Sequence, residues 1–107
     1  MGTGDFTIEW YQYQTDSNPY PRIFAIGTYP STTTIGVSIE SGTFYFWSNG
    51  TPRGASLGTY KNTWIHFAIV RSSNTTTVYR NGAVFISGFA DSFNYTSANN
   101  MVISNET

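Results

Sequence analysis

Apolar and polar side chains alternate strictly along residues 6–13. Phe6, Ile8 and Trp10 fall on one face, and Thr7, Glu9, Tyr11 and Tyr13 on the other. A period of two is the signature of a strand with one face turned inward. The same alternation over residues 34–40 sets Ile35, Val37 and Ile39 inward. Over residues 43–47 it separates Phe44 and Phe46 from Tyr45 and Trp47. Ser41-Gly42 between these runs predicts a tight turn, so 34–47 reads as a hairpin. Residues 64–71 (Trp-Ile-His-Phe-Ala-Ile-Val-Arg) do not alternate. Nearly every residue there is apolar, β-branched or aromatic, which predicts a strand buried on both faces. A polar loop over 72–76, a strand from Thr77, an Asn81-Gly82 turn and a strand over 83–87 complete a central meander. Asn-Gly is a strong hairpin signal because both residues tolerate positive φ.

The rest of the chain is punctuated by turn residues. Residues 14–22 carry Asp16, Asn18, Pro19 and Pro21, and 28–33 carry Pro30. Between them, 22–27 predicts a short apolar strand. Residues 48–62, with Gly50, Pro52, Gly54 and Gly58, form the longest irregular stretch, interrupted by a short strand near 56–60. Residues 88–100 read as a polar loop anchored by Phe89, Phe93 and Tyr95, and Met101 opens a last strand. Short strands at this spacing predict an all-β fold, either an antiparallel two-sheet sandwich or a barrel.

Composition narrows the functional classes. The 107 residues suit a single domain, 1–107. Aromatics make up 18% of the chain, so a small domain can bury a large area per residue. Charged residues are 10%, with a formal net charge of −1. Phosphate backbones demand clustered Lys and Arg, so nucleic acid is not an expected partner. There is no cysteine, which removes disulfides and thiolate zinc sites. No apolar run approaches the ~18 residues of a membrane helix, so membrane insertion is not expected.

Two blocks carry a family resemblance. Gly2-Thr3-Gly4-Asp5-Phe6-Thr7-Ile8-Glu9-Trp10 resembles the opening strand of laminin G-like domains of the concanavalin A-like lectin/glucanase superfamily. Trp64-Ile65-His66-Phe67-Ala68-Ile69-Val70-Arg71, with Val78-Tyr79-Arg80-Asn81-Gly82, resembles that family's W-x-H-x-A-x-x-R … Y-x-N-G signature. The resemblance spans about residues 2 to 104. It implies a jelly-roll sandwich, concanavalin A-like and incomplete at both ends, because such domains usually carry a further strand before the first block and a longer last strand. The expectation is therefore an excerpt of a longer chain or a homo-oligomer whose neighbours complete the sheets. The Thr- and Asn-rich, charge-poor character looks more like versions in phage and large-virus structural proteins, implying an extracellular or virion-surface location.

Candidate chemistry favours binding over catalysis. Related glucanases cluster acidic residues on one strand in a Glu-x-Asp-x-x-Glu pattern that this chain lacks. Asp5 and Glu9 share a face, but four residues at about 3.3 Å each place them about 13 Å apart, whereas a glycosidase holds its carboxyls at about 5–9.5 Å. No catalytic residues are assigned, and the lone His66 reads as a packed structural histidine. Sugars present apolar C–H faces that stack on aromatic rings. Tyr11 and Tyr13, and Tyr45 and Trp47, are the candidate carbohydrate-binding residues, with loop residues Asn18, Tyr20, Tyr29 and Asn49 as a rim. A purely structural subunit of a capsid, fibre or filament, with the same aromatics as assembly contacts, is the alternative. Asn49, Asn74, Asn94 and Asn105 head Asn-x-Ser/Thr sequons and are candidate glycosylation acceptors. No cofactor is expected except calcium. The family can hold it at the sandwich rim, and Asp16, Asp91, Asn94 and Asn99 are oxygen donors in loops; no metal ligand set emerges from their spacing.

Overall fold

The computed structural model describes residues 2–15, 22–26, 35–95 and 101–103. These residues are all-β, in nine strands: β1 (Phe6–Tyr13), β2 (Arg22–Ile26), β3 (Ile35–Glu40), β4 (Thr43–Ser48), β5 (Thr51–Ser56), β6 (Trp64–Ser72), β7 (Thr75–Arg80), β8 (Ala83–Ala90) and β9 (Met101–Ile103). They form two antiparallel sheets, ordered β1-β6-β7-β8 and β5-β4-β3-β2-β9. Each sheet belongs to its own compact unit: residues 1–16 with 59–94, and 17–58 with 95–107.

The alternating runs form strands as their period demands. In the five-stranded sheet, β3 and β4 pair in the register Ser38↔Tyr45, so Val37, Ile39, Phe44 and Phe46 share one face. All four are buried. In the four-stranded sheet, Ile65, Phe67, Ile69 and Val78 are buried along the inner face of β6 and β7. Against them β1 lays Ile8 and Trp10, whose ring stacks on Phe67 at 5.5 Å.

Two-residue turns join four of the hairpins. Their central residues all have positive φ: Ser41 and Gly42 (50° and 84°), Asn49 and Gly50 (53° and 75°), Ser73 and Asn74 (50° and 62°), Asn81 and Gly82 (50° and 83°). Such turns carry the twist that flanking strands require. At Asn81 the side chain adds a clamp: its Oδ1 accepts the His66 backbone N–H at 2.9 Å, while the Asn81 backbone N–H donates to the His66 carbonyl at 2.7 Å.

Three expectations change. The predicted loop over 72–76 is only the Ser73-Asn74 turn, because Thr75 and Thr76 already belong to β7. The stretch 48–62 is not mainly irregular. Its strand is β5, immediately after Asn49-Gly50 and not near 56–60. Pro52 is tolerated there because β5 is an edge strand. Gly54 suits the position because a Cβ there would lie 2.7 Å from Cε1 of Tyr45 and displace that ring. Finally, β8 runs on through Ala90, with irregular register opposite Val78. Gly88 lets it pass, since a Cβ there would stand 2.9 Å from the Thr75 methyl.

Strand β6 also departs from double burial. Its inner positions are buried, but Trp64 is 65% exposed, and His66 and Val70 are half-buried. An antiparallel sheet can leave one face wet. The run looked doubly buried because its wet face is itself built of aromatic and apolar residues.

Candidate functional site

The outer face of the four-stranded sheet gathers aromatic side chains in register. Tyr11 pairs with His66, and Tyr13 with Trp64, across β1 and β6. The Tyr11 and His66 rings lie 4.8 Å apart, inclined at 49°. The Tyr13 and Trp64 rings lie 5.3 Å apart, inclined at 53°. Strand spacing of about 4.8 Å and a two-residue step of about 6.6 Å set these four rings in a compact array. Tyr11 is 71% exposed and Tyr13 45%. In the next row Glu9 faces Ala68, and Ala68 faces Tyr79. Ala68 is buried although it points to this face, so longer neighbours close around a small floor. Glu9 Oε1 lies 3.3 Å from His66 Nε2, giving the array a polar edge.

Tyr45 and Trp47 lie on the five-stranded sheet and are arranged differently. Both are half-buried, with rings 6.3 Å apart. The Trp47 indole donates to Ser38 Oγ at 3.0 Å, and that hydroxyl donates to Glu40 Oε2 at 3.2 Å. The Tyr45 ring fills the space above Gly54. The four candidates thus form two pairs, one per unit. Tyr11 and Tyr13 are joined by Trp64, His66 and Glu9, which were not expected at a site. Tyr45 and Trp47 are stitched into their own sheet.

The remaining candidates have distinct places. Asp91 is buried and held inside the four-stranded unit. Its Oδ2 accepts from the Thr76 hydroxyl at 2.8 Å. Its Oδ1 accepts from Arg71 at 3.4 Å and from the Phe93 N–H at 3.2 Å. Arg71, 1% exposed, donates further to the carbonyls of Gly4 at 3.0 Å, Gly2 at 2.9 Å and Phe93 at 2.8 Å, and packs 4.9 Å from the Phe6 ring. Buried charge needs this kind of partner set. Among the described residues no group of three or more His, Asp or Glu could hold a metal. Asp5 accepts from the Ser73 N–H at 3.0 Å, so Asp5, Glu9, Glu40 and Asp91 each have a protein partner.

Asn49, Asn74 and Asn94 are exposed, the first two at turn tips. In the Asn74 sequon the Thr76 hydroxyl is the buried donor to Asp91. Asp16, Asn18, Tyr20, Tyr29, Asn99 and Asn105 lie outside the described residues.

No family model matches the chain, and no curated protein matches it. Among solved structures it is similar to the mouse laminin alpha1 chain, domains LG4-5, with a TM-score of 0.70 at 14% identity. The match covers 94% of this chain and 28% of that one. At this identity the likeness is one of fold: a laminin G-like, all-β, antiparallel two-sheet sandwich.

Proposed function

We propose that the chain is a non-catalytic recognition module that binds glycans through the outer face of its four-stranded sheet, within an extracellular or virion-surface assembly. One observation carries this reading: Tyr11, Tyr13 and Trp64 are exposed together, in register, with a carboxylate–imidazole pair at their edge. Soluble domains rarely leave several large rings adjacent in water without a ligand or partner for them. Sugars match this mixture, since their C–H faces suit the rings and their hydroxyls suit Glu9 and His66. The backbone beneath is a paired sheet, so little ordering is needed on binding. Single sites of this kind are weak, and repetition on a surface supplies avidity.

The test is a glycan array probed with the multimerised full chain, with and without calcium. Reproducible binding to a sugar class, reduced tenfold or more by Trp64→Ala and unchanged by calcium, is expected. A blank array from folded protein moves the assignment to a structural subunit whose exposed rings are assembly contacts.

A further inference from the structure

The recognition face has an unusual charge pattern. Its outward positions on β1 are Thr7, Glu9, Tyr11 and Tyr13, and on β6 they are Trp64, His66, Ala68 and Val70. On β7 they are Thr75, Thr77 and Tyr79, and on β8 Val84 lies opposite Tyr79. Among these described positions Glu9 is the only acidic residue, and there is no Lys or Arg. The unit's arginines are used elsewhere. Arg71 is buried on the opposite face with its donors turned to carbonyls and Asp91. Arg80 is opposite Phe67 on that same inner side, donates to the Thr59 carbonyl at 2.8 Å and lies 5.5 Å from the Phe85 ring. Lys61 stands beyond the strand end, bridged to Gln14, with its ammonium 5.8 Å from the Tyr60 ring.

We infer that the ligand of this face is a neutral glycan, stacked on Trp64 and the two tyrosines, with adjacent hydroxyls donating to Glu9. The inference rests on the recognition reading above and adds the substrate class. A sulfated or carboxylated sugar would bring its charge beside the Glu9 carboxylate with no Lys or Arg among these outward positions to meet it, and like charges at such distances repel. A neutral pyranose meets no such penalty. Glu9 accepts from its hydroxyls, while His66 at 3.3 Å holds the carboxylate at the edge of the array.

The experiment titrates the full chain with two panels. The neutral panel is soluble β-glucan, mannan and galactan; the anionic panel is heparin, alginate and polysialic acid. Each is run at low salt and at about 0.5 M salt, where the screening length falls to a few ångströms. Binding to a neutral polymer, changing less than about twofold with salt, is expected. It should weaken tenfold or more in Trp64→Ala and severalfold in Glu9→Gln, while thermal melting of both variants matches the parent. Preference for the anionic panel, or affinity that collapses with salt, overturns the neutral-ligand inference and leaves glycan recognition standing. Neutral binding that survives Trp64→Ala removes the ligand from this face. No binding to either panel by protein of unchanged melting temperature overturns both readings.

Discussion

The two sheets carry similar outward motifs: Tyr-x-Tyr on β1 and Tyr-x-Trp on β4. They use them in opposite ways. On the four-stranded sheet the rings are exposed and meet across strands, while a guanidinium and a carboxylate are buried beneath. On the five-stranded sheet the buried face is dominated by Phe44, Phe46, Ile35, Val37 and Ile39; outward, the Trp47 indole is bonded to Ser38, which in turn bonds Glu40, and the Tyr45 ring packs over Gly54. A tryptophan in an outward strand position is therefore not a site by itself. What matters is whether its ring and its N–H are already used by the sheet.

The largest expected effect breaks the polar interior that sets the four-stranded sheet apart. Arg71→Met leaves Asp91 and three carbonyls without their cation, and removing one partner of a buried pair costs about 3–5 kcal/mol. Chemical denaturation should register that loss. A variant as stable as the parent would make the network incidental. Next, Trp47→Ala removes a half-buried ring and the donor to Ser38. The loss should be about 2 kcal/mol, below the figure for a fully buried tryptophan, with glycan binding retained. Gly54→Ala pushes the Tyr45 ring aside and should cost about 1 kcal/mol, the low end for overpacking, since a ring edge can give way. Its signature would be greater Tyr45 exposure, read by fluorescence quenching or chemical labelling. The smallest stability change belongs to Trp64→Ala, within about 0.5 kcal/mol, as for a surface position. If Trp64→Ala destabilises as much as Trp47→Ala, the contrast between the faces fails.

Period-two runs made β1, β3 and β4 legible in the sequence, and Asn81-Gly82 made one hairpin plain. The strand β5 was obscured because Pro52 and Gly54 argue locally against a strand. Only the pairing of Trp47 with Pro52 and of Tyr45 with Gly54 explains both residues. Of the site, Tyr11 and Tyr13 were visible through alternation. Trp64 was hidden in a continuous apolar run, since periodicity vanishes when both faces are aromatic or β-branched. Arg71 was read only as the last residue of that buried run, with no partner for its charge. Its burial depends on carbonyls of Gly2, Gly4 and Phe93, which lie far from it in sequence and leave no local pattern.

That arginine also defines a path for mechanical force. Tension applied at residue 2 meets the guanidinium at Gly2 and Gly4, then the Ser73 N–H at Asp5, before it reaches β1. All three anchors belong to β6 or its turn, so the load passes directly into a central strand. Beyond them, eight antiparallel pairs from Phe6↔Arg71 to Tyr13↔Trp64 hold β1 to β6. Traction at residue 2 therefore meets the bonds of a buried cation before it reaches the aromatic array of β1 and β6.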